Sequence, residues 1–277
     1  MTNGRVWHVV VALAFLAGCG GMADYEQTEK RGPVSWGEFR AQAYEEPGTG
    51  AFVFNGDELA ETEAHLAQAY ERYVGEFDAD GLRVAQEPLI VNRVSGRDDK
   101  WTASQALNLT YCVSSASFGS RYSTVVSAMN SATAAWESAS GNAVNFVHVS
   151  SQDGNCTNRN SNVVFNVRQV TSSQYLARAF FPSTSRRSRE ILIATSSFGN
   201  ISPWTLTGVL RHELGHTLGF RHEHTRPEAG TCFEDTSWRA LTAYDSSSVM
   251  HYPQCNGTQR GDLVLTNLDQ QGVSSLY

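Results

Sequence analysis

The stretch His212-Glu213-Leu214-Gly215-His216-Thr217-Leu218-Gly219-Phe220-Arg221-His222 carries the residues best suited to chemistry. On an α-helix His212 and His216 stand one turn apart on one face, so both imidazoles reach a single ion at ~2.0–2.1 Å. Gly219 is able to take the left-handed conformation that ends a helix, after which the chain turns back and His222 offers a third nitrogen. Three neutral imidazoles leave the fourth position of a tetrahedral Zn2+ open, which marks a catalytic rather than a closed structural site. Zinc held there lowers the pKa of a water toward ~7 and polarises a carbonyl. Glu213, next to the first ligand, is the candidate general base that takes the proton of that water and passes it to a leaving amine. A chance match to three His, one Glu and one Gly at these spacings is on the order of a few in 100,000, so an incidental cluster is a weak explanation. His65 and His148 have no ligand pattern around them and read as structural.

The pattern HExxHxxGxxH is the signature of the metzincin peptidases, and a metzincin carries a methionine turn downstream. Here Ser248-Val249-Met250-His251-Tyr252 resembles the SxMHY turn of astacin-like peptidases. The resemblance implies that Met250 lies under the zinc site. It also implies that Tyr252 is an additional zinc ligand that swings away to stabilise the oxyanion, a role that suits a phenol. Glu223, directly after the third histidine, would anchor the N-terminus of the mature chain. Phe54-Asn55-Gly56-Asp57 matches the FxGD element of astacin prosegments, in which the aspartate caps the zinc; Asn-Gly-Asp is equally suited to a plain tight turn. The HELGH at His212 to His216 is similar, at least as closely, to the bacterial dual-action HEIGH metallopeptidases, whose prosegments also contain GD. Both resemblances imply an α+β fold: a zincin-like catalytic domain with a twisted mixed sheet, an active-site helix and a loop-rich C-terminal subdomain, preceded by a small prosegment.

The elements that must position these residues are partly legible. Ala51 to Phe54 is a short apolar run ended by Asn55-Gly56-Asp57, and Glu58 to Val74 has helix formers with Leu59, Leu66, Ala69 and Tyr73 at helical spacing. From Gly75 to Ser104 polar residues, Gly and Pro mark a break. Beyond it, Leu107 to Val113, Ala143 to Val149, Asn162 to Val170 and Glu190 to Thr195 read as strands, and Ser120 to Ser138 as a helix with Val125, Met129, Ala132 and Trp136 on one face. Ser202-Pro203 reads as an N-cap and first-turn proline opening a helix from Trp204 to Leu218. By analogy with the family, Glu190 to Thr195 would be the exposed edge strand that pairs with an extended peptide.

The remaining composition bounds the setting. At 277 residues with 41% hydrophobic and 18% charged side chains, the chain can bury a core and is neither disordered nor fibrous. Its net charge of -7 is uneven: residues 20–100 hold 17 acidic and 8 basic side chains, residues 101–277 hold 11 and 12. With two lysines and no basic stripe, nucleic-acid binding has little support. Arg5, the apolar run Val9 to Ala17 and Leu16-Ala17-Gly18-Cys19 read as an export signal, the last four resembling a bacterial lipobox with Cys19 as the lipid anchor; an ordinary cleavable signal is the alternative. Setting Cys19 aside leaves Cys112, Cys156, Cys232 and Cys255, an even set that suggests two disulfides in an exported protein. Three connectivities exist, and chain proximity favours Cys112 with Cys156 and Cys232 with Cys255. The expected organisation is a signal at 1–19, an acidic tether and prosegment at 20–100, and a peptidase domain at 101–277. The expected protein is a monomeric zinc endopeptidase zymogen acting on protein or peptide substrates, touching membrane through its lipid only. Two other readings share these residues: a surface lipoprotein that binds zinc without turnover, and a hydrolase of cell-wall peptides.

Overall fold

A computed structural model describes residues 34–75 and 89–277; the expected export signal with Cys19 lies outside the described residues. The front segment comprises α1 (Trp36–Gln42), β1 (Tyr44–Glu45), β2 (Phe52–Phe54), β3 (Glu58–Ala60) and α2 (Glu63–Gly75). Ser35 and Glu38 close a reciprocal capping box that starts α1. The three strands pair antiparallel in chain order, and Phe52, Phe54, Ala60, Leu66 and Ala69 form a small core of their own. The expected helix from Glu58 begins only at Glu63. Asn55 and Gly56, at φ 51° and 99°, fold the chain back so that Phe52–Phe54 pairs with Glu58–Ala60. Hairpin pairing there outweighs the helix propensity of Glu58, Leu59 and Ala60.

The body runs β4 (Ile90–Val94), β5 (Arg97–Asp98), α3 (Ala103–Ala106), β6 (Leu109–Val113), α4 (Ser115–Phe118), α5 (Tyr122–Ala139), β7 (Phe146–His148), β8 (Phe165–Val170), β9 (Ala177–Arg178), β10 (Glu190–Ala194), α6 (Leu206–Thr217), β11 (Trp238–Ala240) and α7 (Asn267–Leu276). Its main sheet has the order β7-β6-β8-β10-β9, parallel except for β9, which is antiparallel to β10. The architecture is therefore α+β with a mixed sheet. β4 lies within the stretch expected as a break, yet it pairs with β5 and β11, and Leu89 and Val91 join the main core. The body's own elements thus begin near residue 89.

Two further expectations are corrected. All five residues of β10 are buried and the strand lies between β8 and β9, so the edge is β9 instead. An all-apolar Ile-Leu-Ile-Ala run suits an interior strand covered on both faces, whereas the two-residue β9 is too short to stand out in the sequence. α6 starts at Leu206, with the Thr205 hydroxyl accepting from the Gly208 N–H at 3.0 Å; Ser202 is not its cap, and Ser202–Pro203 is a cis bond upstream.

The apolar face of α5 supports α6. Trp136 stacks on Phe220 with ring centroids 5.3 Å apart, and its indole N–H donates to the Arg211 carbonyl at 2.8 Å. Met129, Ala132, Leu210 and Leu214 fill the same core. At the end of α6, Gly219 takes φ 98°, and a Cβ there would lie 2.1 Å from the Asp99 carbonyl oxygen. Left-handed backbone costs an L-residue roughly 1–2 kcal/mol before any clash. Gly219→Ala is expected to lose about 2–4 kcal/mol in thermal or urea unfolding; a variant as stable as the parent would contradict this close approach.

Candidate metal centre

The sequence of α6 delivers His212 and His216 to one side of the helix, and the turn after Gly219 brings back His222; all three are buried. Each imidazole has an acceptor at Nδ1. His212 Nδ1 faces the Val249 carbonyl at 2.7 Å, His216 Nδ1 the Phe220 carbonyl at 2.8 Å, and His222 Nδ1 the Glu234 carboxylate at 2.6 Å. Carbonyls and carboxylates only accept, so in a neutral ring, the form that binds a metal, these partners place the proton on Nδ1 and leave the lone pair on Nε2.

The three Nε2 atoms converge on Asp57. His212 Nε2 is 3.1 Å from Oδ2, and His216 and His222 Nε2 are 3.3 and 3.0 Å from Oδ1. Lone pairs facing lone pairs cannot bond, and Asp57 Oδ1 and the Nε2 atoms of His216 and His222 are buried without a hydrogen-bond partner. A cation between them resolves the conflict. Donors each ~2.0–2.1 Å from a tetrahedral centre stand about 3.3 Å apart, close to the observed spacing. The set of three imidazoles and a carboxylate, with ligand atoms all within 4.8 Å of one another, fits zinc.

The neighbouring groups fit the same centre. Glu213 has a buried oxygen, Oε2, without a partner, and the residue lines a cavity of 270 Å³ together with Asp57, His212 and Tyr252. Burial, with the Asp57 charge adding, holds its carboxyl well above the ordinary range. The Tyr252 hydroxyl donates to Asp57 Oδ2 at 2.6 Å, and burial and that carboxylate push its pKa up, so it stays a phenol. Gly56 makes this possible, because a Cβ on it would lie 2.6 Å from the Tyr252 oxygen. Met250 packs under the helix: its Sδ would be 2.3 Å from a Cβ on Gly215, the glycine inside the HELGH run. Glu223 is buried and accepts from Arg226 Nη1 at 2.9 Å and from the Asp245 N–H at 3.1 Å. The cation beside Glu223 is thus Arg226 in this structure, where the resemblance implied a chain terminus.

Both disulfides have the connectivity favoured by proximity, Cys112 with Cys156 and Cys232 with Cys255. The second ties the loop carrying Glu234 to the segment just after Tyr252. Sequence reasoning missed Glu234, which binds both His222 and, at 2.9 Å, Arg221 Nη2. Its only signal is its place two residues after Cys232. It also missed Asp269, whose carboxylate accepts from Ser248 Oγ at 2.6 Å and the Val249 N–H at 3.0 Å and so fixes the methionine turn. Asp269 is the third residue of α7, in a capping box with Thr266, a pattern visible as Thr-x-x-Asp.

The family model of the dual-action HEIGH metallo-peptidases matches residues 93–237. The chain is 35% identical over 86 residues to the bone morphogenetic protein 1 homolog of Strongylocentrotus purpuratus, covering 23% of this chain and 13% of that protein. It is 33% identical over 88 residues to tolloid-like protein 2 of Mus musculus, covering 24% and 9%. The chain therefore spans only about a tenth of the length of these curated relatives. Among solved structures it is similar to high choriolytic enzyme 1, a hatching enzyme zinc-protease from Oryzias latipes, at 18% identity and a TM-score of 0.40, covering 65% of this chain and 94% of that one.

Glu234 orients His222 and sharpens the basicity of its Nε2, the kind of outer contact whose loss costs roughly 10–100-fold in metal affinity. Glu234→Gln keeps the shape and removes the charge. Its zinc affinity, measured by competition with a chromophoric chelator, is expected to fall by about tenfold or more; parental affinity would remove Glu234 from the centre.

Proposed function

The chain belongs to the dual-action HEIGH metallo-peptidase family, and from that premise we propose that it is a zinc-dependent endopeptidase, exported as a latent monomeric precursor and directed at protein or peptide substrates. The observation that carries this reading is the convergence of three buried Nε2 atoms on one point, two of them without a hydrogen-bond partner, next to a cavity lined by Glu213. His212, His216 and His222 would hold the zinc, which when bound polarises a carbonyl and acidifies a water.

With Asp57 and its charge gone and a dication bound nearby, Glu213 would be ionised and would accept a proton from the attacking water as the water's oxygen bonds to the scissile carbon, then return that proton to the amine as the C–N bond breaks. No covalent enzyme intermediate is needed. Tyr252, a neutral phenol, is freed when Asp57 leaves and can then donate its proton in a hydrogen bond to the carbonyl oxygen as charge develops there. Leu176, Trp204, Val209 and Leu263 line the cavity and exclude water from one side of the reacting bond.

Latency rests on Asp57. Its carboxylate occupies the space where a water or a substrate carbonyl must sit and engages the Tyr252 hydroxyl needed for turnover. On this reading residues 20–100 divide into a tether and a prosegment, of which 34–75 are the docked part. Export is supported by the two disulfides and by the signal pattern ending at Cys19, whose lipid would anchor the chain to the cell envelope. Among the described residues no helix is long and apolar enough to cross a membrane.

Casein hydrolysis by the trypsin-treated chain tests the peptidase directly. Glu213→Ala and a zinc chelator are each expected to abolish it, with the chelator's effect reversed by added zinc; activity surviving in Glu213→Ala would end the reading of Glu213 as base. Asp57→Ala and Gly56→Ala are expected to give activity without trypsin, the first by removing the cap and the second by forcing the turn away from Tyr252. A fully latent Asp57→Ala precursor would overturn the cap.

A further inference from the structure

Asp57 is not the only carboxylate that the front segment inserts into the body. Glu46, buried at 5% exposure, accepts from Arg178 Nε at 2.9 Å and Arg178 Nη2 at 2.8 Å, a two-pronged pair. The Tyr175 hydroxyl adds a third bond at 2.9 Å. Burial disfavours the charged form of Glu46, but Arg178 and Tyr175 more than offset it and hold its pKa below the ordinary carboxylate value. Three donors thus converge on one carboxylate, all from the edge of the body's sheet.

The body itself offers Arg178 little else. Its Nη1 donates to the Glu190 main-chain carbonyl at 3.2 Å, while the Glu190 carboxylate is taken by Arg168 at 2.6 and 2.8 Å and by Asn166 at 2.5 Å. Arg178 is 3% exposed, and a guanidinium so placed needs a partner of opposite charge. That partner arrives with the segment and departs with it. One donor, Tyr175, stands at the cavity of the metal centre: with Leu176 and Ala177, the residues leading to Arg178, it lines that cavity together with His212 and Glu213. β9, which holds Arg178, is the free edge of the sheet, where an extended peptide can add by main-chain bonds while alternate side chains enter pockets.

We propose that Arg178 and Tyr175 form a carboxylate-binding subsite of the mature enzyme, filled by Glu46 in the precursor and by a glutamate or aspartate side chain of the substrate after activation. The proposal rests on the reading of residues 34–75 as a removable prosegment. A planar guanidinium matches a carboxylate fork, so the preference is for acidic over amide side chains of the same shape. The front segment and the substrate then compete for two places at once, the metal and the arginine.

The test uses paired peptides that differ only by Glu or Gln at successive positions around the scissile bond, with the trypsin-treated chain. At one position the Glu peptide is expected to have a kcat/KM about tenfold or more above its Gln twin, as a charge-assisted pair on a shielded wall gives. Arg178→Gln should bring that ratio to about one, and Tyr175→Phe, which leaves the guanidinium in place, should reduce it a few-fold. A ratio near one at every position, or a ratio that survives Arg178→Gln, overturns the subsite. Binding of the same peptides to trypsin-treated Glu213→Ala, followed by fluorescence anisotropy, reads the preference without turnover. Equal affinities for Glu and Gln peptides there refute the subsite even if the parent cleaves well. A Glu preference in binding with no cleavage by the parent supports it and refutes the peptidase reading instead.

Discussion

Three imidazole lone pairs aimed at one point are the constraint on which the rest of this structure depends. They repel a carboxylate and one another unless a cation or protons intervene, so the arrangement is costly to hold and has to be held from outside. Each ring is fixed by an acceptor from a different part of the chain: Val249 in the methionine turn, Phe220 after the helix, and Glu234 in the disulfide-tied loop. The acceptors are themselves fixed. Asp269 at the start of α7 binds Ser248 and Val249, Arg221 binds Glu234, and the Cys232–Cys255 bridge joins that loop to the segment following Tyr252. Packing from below completes the frame, with Met250 against Gly215 and Trp136 against Phe220.

How much of this could be read from the sequence follows from how local each feature is. The ligands lie within eleven consecutive residues, and helical spacing plus one glycine suffices to bring them together. The strands with long apolar runs were legible for the same reason, as was the face of α5. What failed involved partners far apart in the chain. Glu58 to Ala60 has helical composition, and only pairing with Phe52 to Phe54 makes it a strand. β10 reads as an edge by analogy, but its continuous apolar run belongs to an interior strand, and the real edge is two residues long. Glu234 is ordinary until the disulfide brings it under His222, and Asp269 lies 47 residues beyond His222, in a helix with no visible link to it. Arg178 is one arginine among many until Glu46 reaches it across 132 positions.

The acidic front third also acquires a physical meaning. Seen as composition, its 17 acidic and 8 basic side chains suggest only a solvated tether. In the fold, several of those acids meet partners in the body: Glu46 on Arg178, Asp57 among the histidines, Glu58 on Arg221 at 3.2 Å, and Glu61, which accepts a hydrogen bond from Ser185. Surface ion pairs contribute little, but Glu46, Asp57, Glu58 and their partners are buried, where charges cannot fall back on water. Such contacts specify position strongly while adding little net stability, since burial costs each ion much of what pairing returns. That balance suits the proposed prosegment, which would be seated in one register and still be released. A segment held by apolar packing alone could slide, whereas one held by four acids of fixed spacing brings Asp57 to the histidines only when Glu46 and Glu58 have also found their arginines. On the proposed reading the same logic runs in reverse on release: water resolvates the acids of the departing segment, Arg221 keeps Glu234 and Asp235, and Arg178 is left without its carboxylate.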